Sequence, residues 1–303
     1  MCPGQGAQKV GMGKDLAERF PAARDTFAAI DEALGVPLSR LMWEGPEEEL
    51  VLTHNTQPAI LAHSAAVFAV VRERLGAVAA GAGHSLGEYS AYVAAGSFGA
   101  PDAARLVRRR GELMFEAGTR RPGAMSAVLG LDPAGVVAAC AEASGADGVA
   151  VAANLNSPDQ VVISGDPAAV TRAGEACKAR GAKRVLPLKV SGAFHSPLMA
   201  PAVAGLEAAL AGQRFADPAF PIVANASAEP VRTAARAVRL LAEQLTAPVR
   251  WIECMQASAA LAPDATFIEI GPGSVLSGLL RKIVPGARSL TLGTAAEVEA
   301  FLA

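Results

Sequence analysis

Gly83-His84-Ser85-Leu86-Gly87 is a Gly-x-Ser-x-Gly stretch, a pattern in which serine can serve as a nucleophile. That chemistry needs a strand, a sharp turn and a helix. The small residues at 77–83 read as the strand, and residues 88 to about 95 as the helix. Flanking glycines remove side chains where such a turn brings two backbones together. The serine then stands at a helix N-terminus, where the N–H of Leu86 has no partner within the helix and can stabilise an oxyanion. The pentapeptide alone also fits a glycine-rich turn in which Ser85 merely caps the helix.

A serine nucleophile needs a base, and the chain has four histidines. His84 adjoins Ser85, so its side chain should diverge from the nucleophile. His54 and His63 precede the elbow, and His63 falls on a helical stretch where a packed histidine is expected. His195 lies in a turn after a strand, where loops carry catalytic groups. It reads as the base or as a residue leading into the helix that Pro197 opens. Arg110 closes the run Arg108-Arg109-Arg110; spacing alone does not separate a carboxylate clamp from a solvated charge.

The elements that must position these groups follow from the pattern. Helical segments dominate from residue 14 to about 117, including 59–74 with Pro58 in its first turn and 101–116. From about 122 the order becomes strand 125–130, helix 132–143, strand 149–153, polar loop 154–159, strand 160–164, helix 167–180 and strand 184–190. That is the β-α-β-β-α-β order of a ferredoxin-like unit, read as a small insert. Beyond 191 come a helix (197–211), a strand (221–225), a helix (235–245), a strand (266–270) and the helix 275–283. Alternating strands and helices predict a mainly parallel sheet covered on both faces.

Apolar residues make up 51% and charged residues 18% of 303, a globular composition. The net charge of −2 gives no overall pull toward nucleic acid or an anionic membrane. The longest apolar run, 58–71, is too short to span a bilayer. Cys2, Cys140, Cys177 and Cys254 have no metal-ligand spacing, as expected of reduced thiols in the cytoplasm. The glycine turn at residues 4–6 arrives with no strand in front of it, so a first strand is expected to be missing.

The chain resembles the malonyl-CoA:acyl carrier protein transacylases, the acyltransferases of fatty-acid and polyketide synthesis. The motifs run in family order: Pro3-Gly-Gln-Gly-Ala-Gln8, Thr56-Gln-Pro-Ala-Ile60, Gly83-His-Ser-Leu-Gly-Glu-Tyr89, Arg110-Gly111, Asn154-Leu-Asn-Ser-Pro158, Gly192-Ala-Phe-His-Ser196, Pro248-Val-Arg-Trp251 and Gly271-Pro-Gly273. The resemblance implies an α/β fold: an α/β-hydrolase-like large subdomain (1–122 and 192–303) with a mainly parallel sheet, and the ferredoxin-like insert at 123–191. It makes Ser85 the nucleophile and His195 the base, with the main-chain N–H groups of Gln5 and Leu86 as oxyanion hole. Arg110 would hold the free carboxylate of malonate, beside Gln57, Phe194 and Asn156 in the acyl site. A main-chain carbonyl at Arg250 would orient His195. Phe194 would close the space an α-methyl group needs.

No metal or cofactor is expected, since the partner carries the phosphopantetheine. The partners implied are a coenzyme A thioester and an acidic acyl carrier protein met by a monomer; Lys178, Arg180, Lys183 and Arg184 offer either a docking patch or a solvated helix end. A polyketide-type acyltransferase acting in trans shares the motifs, and so does an inactive carrier-protein-binding homologue. The missing first strand motivates the latter, because in the family that strand lies beside the elbow and its loss would leave one side of the sheet unpaired and the oxyanion hole loose. A serine esterase does not fit, because its histidine falls late in the chain and Arg110 would have no purpose.

Overall fold

The change of pattern near residue 122 marks a change of core. In the computed structural model, which describes residues 1–303, strands β1 to β9 are Gly81–Ala82, Ala124–Leu129, Ala150–Ser157, Gln160–Gly165, Arg184–Pro187, Ile222–Val223, Pro230–Val231, Phe267–Ile270 and Ser289–Leu292. The four middle strands β2–β5 form an antiparallel sheet in the order β3-β4-β2-β5. Alternation decides what each face covers. Val128, Val161 and Ile163 pack against the helices Pro133–Ala143 and Pro167–Ala179 in a core of their own. Met125, Ala127 and Val162, on the opposite face, join the large core.

The other strands pair mostly in parallel: β1 with β6 and β8 with β9, while β7 runs antiparallel to β6. The N-terminus joins these pieces, contrary to the expectation of an unpaired side. The Met1 ammonium donates to the Ile268 carbonyl, and Ile270 N–H donates to the Met1 carbonyl. Cys2 N–H donates to Ala82 and its carbonyl accepts from His84 N–H. Met1 and Cys2 thus form a rung between β8 and β1 at the level of the elbow. Behind Met1 lies an apolar cleft of about 320 Å³ walled by Phe68, Val78, Ala80, Phe220 and Phe267.

Several elements differ from the sequence expectation. The helix expected at 59–74 is Thr53–Val71, so Pro58 lies inside it rather than in its first turn. The expected polar loop at 154–159 is mostly strand: β3 runs on to Ser157, with bulges after Ala152 and Leu155. Its asparagines are buried because their side of the strand faces a pocket rather than water. The helix Trp251–Leu261 and the pair formed by β9 and the helix Ala295–Leu302 were not anticipated. The last is legible in retrospect, since Thr294 and Glu297 form a capping box. The helix Ala100–Arg120 is the longest, and no helix is long and apolar enough to cross a membrane. All four cysteines are free and buried.

Candidate active site

Glycine packing builds the elbow. A Cβ on Gly83 would lie 1.9 Å from the Gly87 carbonyl group, and one on Gly87 2.0 Å from the Cys2 carbonyl oxygen. Both contacts are too close for any side chain. Ser85, between them, has φ 49° and ψ −106°, directly before the helix Leu86–Ala94. Such a backbone costs a non-glycine residue about 1–3 kcal/mol and persists only where surroundings hold it. Here Ser85 N–H donates to Asn225 Oδ1 at 2.7 Å, and its carbonyl accepts from Gln244 Nε2 at 3.1 Å.

His195 comes from the loop after β5 and also has a positive φ, 55°. Ser85 Oγ and His195 Nε2 are 2.8 Å apart, and His195 Nδ1 lies 2.9 Å from the Gln244 carbonyl. A carbonyl only accepts, so Nδ1 carries the hydrogen and Nε2 presents its lone pair to the serine hydroxyl. Burial, and after it the Arg110 cation, push His195 down to about 3. Its imidazole is therefore neutral, as a base must be.

The orienting carbonyl is that of Gln244, which corrects the assignment to Arg250. The Arg250 carbonyl is already committed: it accepts Cys254 N–H in the first turn of Trp251–Leu261. The Arg250 guanidinium pairs with Glu253 and donates to the Ser227 carbonyl at 3.0 Å, away from His195.

Arg110 is 1% exposed. It reaches the elbow because Gly111 lets two helices touch: a Cβ there would lie 2.6 Å from His54 Cα. Its Nη1 donates to Gln57 Oε1 at 2.8 Å, and its Nη2 to Gln244 Oε1 at 2.9 Å and Ser85 Oγ at 3.1 Å. The guanidinium also stands 5.4 Å from the Tyr89 ring centre. None of these partners is an anion, so a buried cation faces the serine without a counter-charge in contact. Gln57 acts on this site by holding Arg110, with its own amide donating to Met114 Sδ.

Ser85, His195, Leu86, Gln5, Arg110, Gln57, Phe194 and Asn156 all border one cavity of about 170 Å³; Arg250 does not. The main-chain N–H groups of Gln5 and Leu86 donate to no protein acceptor. His84 diverges as expected, bonding Asn156 Oδ1 at 2.8 Å. His63 is a packed histidine whose Nε2 meets the Gly293 carbonyl at 2.9 Å. Gln244, Asn225 and the fully buried Glu88 were missed. Two of them carried a signal. Gln244 continues the buried stripe Ala237, Leu240 and Leu241, and Glu88 is the sole charge in Leu86–Ala94; a polar group in a core position asks for a reason.

These burials set an acid response. Unfolded histidines protonate near 6.5, whereas burial holds His63 down to about 4, His195 to about 3, and His84 below its usual value. Below pH 6.5 the unfolded chain therefore takes up protons that the folded chain refuses, and stability falls. Glu88 opposes this, because burial raises it to about 7. Between pH 7 and 4.5 the folded chain binds the proton that the unfolded chain lacks. Three histidines outweigh one glutamate, so the melting temperature should drop between pH 6.5 and 4.5. A flat or rising profile would refute this balance.

The acyl transferase domain family model matches residues 1–296. The malonyl CoA-acyl carrier protein transacylase of Bacillus subtilis is 46% identical over 281 residues, 93% of this chain and 88% of that protein. The crystal structure of malonyl-CoA:acyl carrier protein transacylase from Xanthomonas oryzae superposes with a TM-score of 0.94 at 44% identity, covering 99% of this chain and 95% of the other. A malonyl-transacylase in complex with its type II PKS acyl-carrier protein gives 0.93 at 44% identity, covering 99% and 97%.

Proposed function

The chain belongs to the acyl transferase domain family, and on that premise we propose that it transfers a malonyl group from malonyl-CoA to the phosphopantetheine thiol of an acyl carrier protein in fatty-acid synthesis. The observation that carries this reading is the 2.8 Å contact of Ser85 Oγ with a neutral His195, beside a buried arginine that lacks an anion. Ser85 Oγ attacks the thioester carbonyl while its proton passes to His195 Nε2. The oxyanion is taken by the Leu86 and Gln5 N–H groups; such a donor contributes about 2.7–4 kcal/mol to the transition state. The tetrahedral adduct collapses, the C–S bond breaks, and His195 returns the proton to the coenzyme A sulfur. The carrier's thiol then repeats the sequence in reverse on the acyl-serine, giving ping-pong kinetics.

Arg110 supplies the specificity. Its planar fork suits a bidentate carboxylate. A malonyl carboxylate supplies the missing counter-charge, and an acetyl group does not. Asn156 shapes the same pocket from the small sheet. We read that sheet and its helices, 123–191, as a ferredoxin-like insert in an α/β-hydrolase-like frame, 1–122 and 192–303. Of the basic residues proposed for carrier docking, Arg180 is tied to Glu142, while Lys178, Lys183 and Arg184 are exposed and form no ion pair. A second reading, transfer to a polyketide-synthase carrier acting in trans, is favoured by the type II PKS neighbour and uses the same residues.

Intact mass after mixing with malonyl-CoA tests the proposal: one malonyl adduct is expected, discharged by holo acyl carrier protein. No adduct would overturn it. Phe194, 6% exposed against the cavity, sets the second specificity. Wild type should prefer malonyl- over methylmalonyl-CoA by roughly 10-fold or more, the usual worth of one methyl group in a closed pocket. Phe194→Ala should narrow that ratio; equal wild-type rates would sink the idea.

A further inference from the structure

Glu88 is the one acid at this site, and no step of the proposed chemistry uses it. It is fully buried, three residues after the nucleophile. A buried carboxyl group is costly unless hydrogen bonds compensate, yet one of its oxygens, Oε1, has no partner. Oε2 has two: Asn225 main-chain N–H at 2.9 Å and Gln244 Nε2 at 2.7 Å. These are the residues that clamp the strained Ser85, Asn225 on its N–H and Gln244 on its carbonyl. Asn225 also donates from Nδ2 to the Gly83 carbonyl at 2.8 Å, tying down the turn from the strand side. Gln244 further holds His195 through its main chain and Arg110 through its side chain. A single carboxyl oxygen thus stands one bond behind the nucleophile, the base and the cation.

We propose that Glu88 is a positioning residue: through Asn225 and Gln244 it holds the strained elbow, and with it the Ser85–His195 hydrogen bond, in the reactive geometry. This depends on Ser85 being the nucleophile of the function above, and not on malonyl-CoA being the donor. The geometry asks for an acceptor and not for a charge. Burial pushes the Glu88 carboxyl up to about 7 against the opposing bonds and Arg110. The neutral acid still offers Oε2 to both donors, and a glutamine amide oxygen can do the same.

The test is the rate at which a neutral fluorophosphonate modifies Ser85, followed by intact mass. In that reaction Oγ bonds phosphorus, fluoride leaves, and His195 takes the proton; Arg110 has no carboxylate to bind. Glu88→Met keeps volume but removes the acceptor, and should slow modification about tenfold or more, since small misplacements of reacting groups are costly. Glu88→Gln should react close to the wild-type rate, a rescue that simple loss of packing does not predict. Glu88→Met at the wild-type rate, Glu88→Gln as slow as Glu88→Met, or an unreactive wild type would each overturn the proposal. Should Glu88→Met not fold, Glu88→Leu removes the same acceptor and leaves in place the donors and acceptors of Gln244's direct bonds to Ser85 and Arg110, with slow reaction expected and wild-type reaction refuting. A wild type that reacts with the phosphonate but takes no malonyl group would instead overturn the substrate reading and leave the Glu88 comparison intact.

Discussion

Ser85→Ala is expected to leave a folded chain that takes no malonyl group from malonyl-CoA and transfers none to a carrier protein. Residual transfer should be lower by about four orders of magnitude or more, the usual consequence of deleting a nucleophile that acts as a unit with its base. The fold should survive because the strained backbone is held by bonds to the Ser85 N–H and carbonyl, which alanine retains. Only the hydroxyl's links to His195 and Arg110 are lost. A melting temperature close to wild type, with no adduct by intact mass, would establish Ser85 as the acyl carrier. An adduct persisting on the variant would move the nucleophile elsewhere and refute the mechanism.

The second large effect is expected at Arg110. Arg110→Ala should lower kcat/KM for malonyl-CoA by roughly 10²–10³-fold, or about 3–4 kcal/mol, the range for truncating one member of a buried charged pair. Acetyl-CoA, which has no carboxylate, should lose far less, so the preference for malonyl collapses. Arg110→Lys should recover only part of the activity, because an ammonium is a point charge without the fork that reaches Gln57, Gln244 and a carboxylate together. Parallel steady-state kinetics on the two thioesters decide it. Equal losses for malonyl- and acetyl-CoA would mean that Arg110 supports the Ser85 hydroxyl rather than the substrate.

Several of these residues could be read without coordinates because their chemistry is local. Gly83 is required by a contact of 1.9 Å within the turn itself, against Gly87, whereas Gly87 answers to the Cys2 carbonyl at 2.0 Å, from the start of the chain. His195 was reachable by counting, since three of the four histidines had other expected places. Arg110 was not distinguishable from Arg108 and Arg109 by spacing. Its place beside Ser85 follows from the side of the long helix that Gly111 brings against His54. The asparagines of β3 misled for a related reason: a polar run reads as loop when its polar side is assumed to face water, and here it faces a cavity.

What the sequence determined alone was the turn at the elbow and the change of core near residue 122, since these depend on residue types a few positions apart; His195, 110 residues from Ser85, kept two readings until the resemblance assigned it. The tertiary structure decided what lies behind them. Gln244 is 159 residues from Ser85, and Asn225 is 140. No periodicity links such positions; they meet only when the helix Ala234–Glu243 buries Leu240 and Leu241 and β6 pairs with β1. The orienting carbonyl fell on Gln244 and not on Arg250 because a main-chain oxygen is available only where the local helix has not already used it. Which free carbonyl then meets His195 is decided by the fold, which brings position 244 to 2.9 Å from an imidazole 49 residues earlier in the chain.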